Sequence, residues 1–407
     1  MKALMANKFY YGKAGAEKSF LSVKRLFEEK GYEVSVFSME HPSNMESPYA
    51  KYFVSYVDLN NPGGVIASLR AAARILYSFE AKRKIKKLID DTQPDIAHLS
   101  NIYHQLSPSI IDALKDAGVP IVMVLHDYKL TCPAYTHLSP KGICEECKGG
   151  RYYNAVVNRC IKGSRLKSAV NMMEMYLHHS ILRIYDKVDV FIAPSRFLLE
   201  KTKELGVKGE IVLLPNCVHL DGYEPAYGSR ERSITYFGRL SHEKGIDTLI
   251  DAVKGLNLRL KILGDGPYES KLKKKVLAEG VDNVSFYGYM SGSELNEEIK
   301  KSLFTVVPSE WYENNPRSII ESFALGKPVI GANVGGIAEL VKDAETGYTF
   351  EMGNVEDLRE KIKSLVDDES KIVEMGQKAR VYVEREHNPE RYYKVLMGVY
   401  EKLVAKR

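Results

Sequence analysis

Along the chain, short runs of consecutive apolar residues alternate with stretches whose apolar positions recur every three or four residues. Runs without polar alternation predict strands buried on both faces. The helical stretches between them predict βαβ units around a parallel sheet. The first unit is a strand over 3–6, a turn over 12–15, a helix over 17–30 closed by Gly31, and a strand over 33–37. The pattern continues with a strand at 95–99, a helix near 107–117, a strand at 120–125, one long helix near 165–185 and a strand at 189–193.

After an apolar strand at 211–214 the composition changes. Residues 216–232 are rich in Gly, Pro, Tyr and charge, which predicts a linker. A second α/β series follows, with strands at 233–237, 258–263, 284–286, 303–307 and 328–330, and then a helical tail over 358–406. His387-Asn388-Pro389 interrupts that tail, and Pro389 suits the first turn of a new helix. The expected division is a Rossmann-like domain over 1–215, the linker 216–232, a second domain over 233–386, and a terminal helix over 387–407 that returns to the first domain. Two doubly wound parallel sheets with one linker imply a cleft, to which each sheet presents the carboxyl ends of its strands.

Composition fits this picture. The 407 residues leave room for two domains, and 44% hydrophobic with 27% charged residues is ordinary soluble usage. The longest apolar run, 119–125, is far below the roughly 20 residues of a spanning helix. The first residues lack the apolar core of a secretory signal, so a cytoplasmic location is the default expectation. Net charge is only +5, yet basic residues cluster at Lys82, Arg83, Lys84, Lys86 and Lys87, and at Arg159, Lys162, Arg165 and Lys167. A solvated helix face is one reading of each cluster. Peripheral contact with anionic lipid at the inner face of a membrane is the other.

Three segments of the second half carry candidate chemistry. Gly238-Arg239 ends a strand, and Glu243-Lys244-Gly245 opens a helix, so two cations stand beside unpaired helix N–H groups where a diphosphate could bind. Gly264-Asp265-Gly266-Pro267 is a second strand-to-helix turn that permits close backbone approach. In the stretch 310–321, Pro316 sits where a first helical residue is favoured, which places Asn314 and Asn315 at a helix N-terminus. Glu313 lies before that helix and Glu321 within it, so two carboxylates could hold one ligand at two points. Gly335-Gly336 closes the set.

In order and spacing, over about 233–340, Gly238-Arg239, Glu243-Lys244-Gly245, Gly264 to Pro267, Glu313 with Glu321, and Gly335-Gly336 resemble the retaining glycosyltransferases of family four, which have the GT-B fold. The resemblance implies that Arg239 and Lys244 bind the donor diphosphate beside Gly238, Glu321 the donor ribose, and Glu313 the transferred sugar. Backbone N–H groups near Asn314 and Asn315 would help to seat it. It further implies that catalysis needs no metal. The 12–17 turn is similar to the family's first glycine-rich loop, with the usual adjacent glycine pair reduced to Gly15 between Ala14 and Ala16. His126, after the strand 120–125, would contact the donor sugar near the reacting carbon. Asp127 would orient the imidazole or reach the acceptor. Catalytic roles fall on His126, Glu313, Arg239 and Lys244, and front-face transfer is the implied course, with positioning and electrostatics supplying most of the rate.

Cys132, Cys144, Cys147 and Cys160 lie in a charged, glycine-rich insertion over about 130–164, while Cys217 is alone. One two-residue spacing flanked by two single cysteines can close a structural zinc site of four thiolates; unpaired thiols are the alternative, and disulfides the last. The functional expectation is transfer of a hexosyl unit from a nucleotide sugar to a glycan or lipid-linked acceptor in polysaccharide biosynthesis, with no nucleic-acid partner. The alternatives are a GT-B nucleotide-sugar epimerase and a non-catalytic sugar-nucleotide-binding subunit.

Overall fold

The computed structural model describes residues 1–59, 63–228 and 231–406. Residues 229 and 230 of the expected linker, and residue 407 of the expected terminal helix, lie outside them. The chain divides into two units, one of Met1–Cys217 with Pro389–Arg407 and one of Val218–Asn388. Each is built on a six-stranded parallel sheet.

The strands of the first unit are β1 (Lys2–Ala6), β2 (Glu33–Phe37), β3 (Ile96–Ser100), β4 (Ile121–Val124), the two-residue hairpin pair β5 (Leu138–Ser139) and β6 (Gly142–Ile143), β7 (Val190–Ala193) and β8 (Glu210–Leu213). The sheet order is β2-β1-β3-β4-β7-β8, and the hairpin stands apart as an antiparallel pair in the cysteine-bearing insertion. β3, β4 and β7 are buried throughout, as runs without polar alternation require.

The long helix expected near 165–185 is broken. An α-helix covers Arg165–Met175, a π-helical turn Tyr176–Ile181, and a short 3-10 turn Ile184–Lys187, with Arg183 at a φ of 46° between the last two. Apolar spacing alone does not register such a break, because a π turn keeps one face buried while it changes the hydrogen-bond partner.

The helix Pro389–Val404 begins at the proline, whose missing N–H is no loss in a first turn. It completes the core of the first unit. Tyr392, Leu396 and Tyr400 are buried among Met5, Phe27 and Cys217. Tyr400 stacks on Phe27 at 5.6 Å, and its hydroxyl lies 2.6 Å from Nδ1 of His98 on β3. The Tyr32 and Tyr393 hydroxyls share a 2.7 Å hydrogen bond, and Lys30 pairs with Glu390 at 2.7 Å.

The second unit contains β9 (Ser233–Phe237), β10 (Arg259–Leu263), β11 (Val284–Gly288), β12 (Phe304–Val307), β13 (Val329–Ala332) and β14 (Gly347–Phe350), in the order β11-β10-β9-β12-β13-β14. This is the Rossmann order 3-2-1-4-5-6. The connection direction reverses between β9 and β12, so a crevice opens outside their carboxyl ends. β14, an edge strand, has no strong signal in the sequence: it is four residues long and starts at Gly347.

Candidate active site

In the second unit the loops after β9 and β12 meet at the switch point. Lys244, in the short turn His242–Lys244 after β9, places Nζ 2.5 Å from Oε1 of Glu313, which follows β12. Glu313 is 7% exposed, and its Oε1 also accepts the Ser309 hydroxyl at 2.8 Å. Burial alone would raise its pKa. The ammonium of Lys244 and the hydrogen bonds outweigh burial and hold the carboxyl below its ordinary range. The Lys244 ammonium also lies 5.0 Å from the Trp311 ring centroid.

Glycines set how closely these loops approach. Gly245 has a φ of 63°, and a Cβ there would stand 1.9 Å from the Pro308 carbonyl oxygen. At Gly336 a Cβ would stand 1.5 Å from the Asn314 oxygen, and the Gly336 N–H donates to Glu313 O at 2.7 Å. The Gly335-Gly336 turn therefore fixes the backbone that carries Glu313 and Asn314. Gly264 and Gly266 rest in the same way on the 238–240 loop: Cβ atoms there would fall 1.9 Å from Gly238 O and 2.1 Å from Leu240 O. Gly238 N–H donates to Leu263 O, and Leu240 N–H to Asp265 O. The buried Tyr236 hydroxyl donates to the Arg239 carbonyl at 2.9 Å, while Arg239 itself is exposed.

The helix after β12 is Arg317–Ala324, and Pro316 is its cap with extended backbone, one residue earlier than the first-turn place expected for it. Asn315 is buried and Asn314 half-buried just before it. Glu321 is 6% exposed and lies 3.3 Å from Nε of Arg317. Thus Lys244, Glu313, Asn314 and Gly336 converge, and Arg317 and Glu321 form a second polar pair one helical turn further on.

In the first unit, His126 and Asp127 follow β4. Nε2 of His126 lies 3.3 Å from the Ser100 hydroxyl at the end of β3. Burial, assisted by the Lys8 charge, lowers the imidazole pKa to about 4, so the ring is neutral at pH 7. Asp127 accepts the Lys129 N–H at 2.9 Å, yet desolvation raises its pKa. Beneath the loop, the buried Lys129 ammonium pairs with the buried Glu174 at 2.7 Å, and Nε2 of His104 lies 3.1 Å from the same carboxylate oxygen. Gly15 is exposed and opens the helix Gly15–Glu29.

Cys132, Cys144, Cys147 and Cys160 line one small cavity with His137 and Ala155. All are free thiols, and Cys217 belongs to the core instead. Burial pushes the Cys132 thiol pKa up, and the nearby backbone groups of His137, Ala134 and Thr136 oppose that rise. As the side chains stand, no group of three His, Cys, Asp or Glu among the described residues is placed to hold a metal ion.

Sequence reasoning passed over Ser309, Tyr236 and Lys8. Each sits at or just beyond a strand's carboxyl end, and that position is the one signal that could have found them.

The family model of glycosyl transferases group 1 matches residues 225–382, and that of glycosyltransferase family 4 matches residues 14–221. An uncharacterized glycosyltransferase of Methanocaldococcus jannaschii is 30% identical over 53% of this chain and 60% of its own length. An uncharacterized protein of the cps region of Klebsiella pneumoniae is 25% identical over 86% of this chain and 90% of its own. Among solved structures, Anabaena HepE in complex with UDP and glucose superposes with a TM-score of 0.68, at 17% identity over 98% of this chain and 99% of that one. Sucrose-phosphate synthase of Thermosynechococcus elongatus superposes with a TM-score of 0.74, at 17% identity over 100% of both chains. Both likenesses support the GT-B fold. With the second of the two family models spanning half the chain, the protein belongs to glycosyltransferase family 4.

Proposed function

We propose that the protein transfers a hexosyl unit, with retention, from a nucleoside diphosphate sugar to a hydroxyl of a glycan or lipid-linked acceptor, without a metal in the transfer step. The observation that carries this is the Lys244–Glu313 pair at the switch point of the second unit. Lys244 with exposed Arg239 offers cations to a diphosphate, and the loops between provide N–H groups. When the diphosphate draws the ammonium, Glu313 is left to accept sugar hydroxyls. Buried Glu321 is suited to the ribose hydroxyls. Burial keeps His126 neutral, a form in which the ring can both accept from and donate to a sugar hydroxyl. The leaving diphosphate deprotonates the acceptor hydroxyl on the same face, and positioning supplies most of the rate.

Two further elements belong to this proposal. A structural zinc closes on Cys132, Cys144, Cys147 and Cys160 once their thiols turn toward one another, since the four line one cavity. Peripheral membrane contact is made by the helix Val65–Leu76. Its Val65, Ile66 and Leu69 are 78%, 69% and 66% exposed, it bears Arg70 and Arg74 and no acid, and exposed Leu166 stands on the neighbouring helix Arg165–Met175. By contrast, Lys82 and Lys84 of the cluster noted in the sequence are engaged with Asp116, Glu40 and Glu80. No helix among the described residues is long and apolar enough to cross a membrane.

The test of the transfer reading is thermal unfolding of the purified chain with UDP-, GDP- and ADP-sugars, followed by assay of nucleotide release with and without glycan acceptors. Stabilisation by one donor class and acceptor-dependent release are expected. No stabilisation by any donor overturns the proposal.

A further inference from the structure

The loops that leave β1 and β2 carry four aromatic rings that touch one another. Tyr11 and His41 stack with centroids 4.7 Å apart and planes at 22°. Phe9 meets these two rings at 5.4 and 5.9 Å, and Tyr56 lies 5.6 Å from His41. β1 and β2 are neighbours in the parallel sheet, so both loops rise from its carboxyl edge, where such sheets hold ligands. Core packing does not account for the group. Phe9 faces inward, but Tyr11 and His41 are half-buried and Tyr56 is 53% exposed.

Two ammonium groups stand over this shelf. Nζ of Lys13 lies 4.1 Å from the Phe9 centroid and Nζ of Lys8 5.8 Å from it. Neither forms an ion pair among the described residues. Glu17, the carboxylate whose charge reaches Tyr11, is itself buried. Nδ1 of His41 accepts the Ser43 N–H at 3.1 Å, which leaves Nε2 as the protonated nitrogen, a donor. The charge of Lys8 also reaches His126 and Asp127, so the shelf and the loop after β4 share one electrostatic surround.

A pyranose presents a face of C–H groups that packs on aromatic carbon with release of water, while its substituents point outward. Unpaired ammonium groups beside such a surface favour a negative substituent. We infer that the Phe9, Tyr11, His41 and Tyr56 shelf, with Lys8 and Lys13, is a subsite for a pyranose that carries a negative charge within the acceptor. The inference deepens the glycosyl-transfer reading and rests on it.

The test is saturation-transfer NMR on the full chain with methyl β-D-glucuronide, glucose 1-phosphate and methyl β-D-glucoside. Both anionic sugars should bind at least about threefold more tightly than the neutral glucoside, with saturation on the ring C–H protons. Tyr56→Ala should weaken all three by roughly three- to tenfold, the scale of one lost aromatic contact. Lys13→Gln should remove the preference for charge while glucoside binding stays. Both side chains are outside the packed core, and an unaltered melting temperature confirms folding. No binding, equal binding of charged and neutral sugars, or indifference to both substitutions overturns the subsite. Stabilisation by nucleotide sugars is measured on the same samples. If it persists while the glucuronide results fail, the subsite alone falls; if it is absent, the transfer reading fails on its own account.

Discussion

Lys244 and Glu313 are 69 residues apart in the chain, and the ammonium of one stands 2.5 Å from the carboxylate of the other. The pair joins the loops of β9 and β12 across the switch point, so it serves stability and substrate at once. Replacing Lys244 by Ala leaves the Glu313 carboxylate buried without its cation and held by hydrogen bonds alone. A loss of about 3 kcal/mol in unfolding free energy is expected, at the low end for a broken buried pair. Glu313→Gln keeps shape and loses charge; roughly a hundredfold lower turnover is expected, with donor stabilisation retained. Turnover within twofold of the parent would remove Glu313 from the transfer step.

The glycines divide into two kinds. Gly336→Ala forces a methyl to 1.5 Å from the Asn314 oxygen and must displace the backbone under Glu313, so donor stabilisation should be lost. Gly398 lies inside the helix Pro389–Val404 with nothing within 4 Å of an added methyl. Gly398→Ala should raise stability by about 0.5–1 kcal/mol, the helix-propensity difference. Melting curves of the two variants with and without a UDP-sugar check both.

Stability should fall as the pH drops below 7, because histidines are buried neutral. His98 is 1% exposed, and desolvation, with a smaller contribution from His126, lowers its pKa to about 3. The unfolded chain takes up this proton near pH 6.5 and the native state does not. The contribution is therefore complete above 6.5 and declines toward 3. At pH 5 the loss from His98 alone is about 2 kcal/mol at 1.36 kcal/mol per unit. His126 and His179, both lowered to about 4, act in the same direction. Glu313, lowered by its partners, keeps its contribution until the pH passes below the ordinary carboxylate range, so it does not blur this window. Urea unfolding at pH 7 and pH 5 should show the drop, and His98→Gln should reduce it.

Metal analysis decides the cysteine cluster. About one equivalent of zinc is expected on the purified chain, lost in a Cys144→Ser, Cys147→Ser double variant with a fall in melting temperature. Zinc below roughly a tenth of an equivalent, with no effect of chelator on the melting temperature, would assign the cavity to plain thiols.

Vesicle flotation addresses the helix Val65–Leu76. The chain should float with vesicles containing phosphatidylglycerol more than with neutral ones, and Ile66→Glu with Leu69→Glu should lower the bound fraction at least about tenfold. An unchanged fraction in the double variant would show that this face does not meet lipid.

The periodicity of apolar residues was enough to place most strands of both sheets, since a buried parallel strand must be a continuous apolar run whatever surrounds it. Edge strand β14 and the hairpin β5–β6 escaped because short edge elements carry neither length nor uniform burial. Pro389 marked a helix start for a local reason, the N–H it lacks. The surface that helix covers depended on Tyr392, Leu396 and Tyr400 meeting residues nearly 400 positions away. The motif order from Gly238 to Gly336 disclosed the family and the candidate donor residues, because turns that approach a ligand closely need glycine in the sequence itself. Which charges meet was decided only in three dimensions. That Lys244 pairs with Glu313, that His126 feels Lys8, and that four aromatic rings gather on one sheet edge follow from strand order and loop register. Linear sequence leaves these free, because Coulomb and packing energies depend on distances that the fold alone sets.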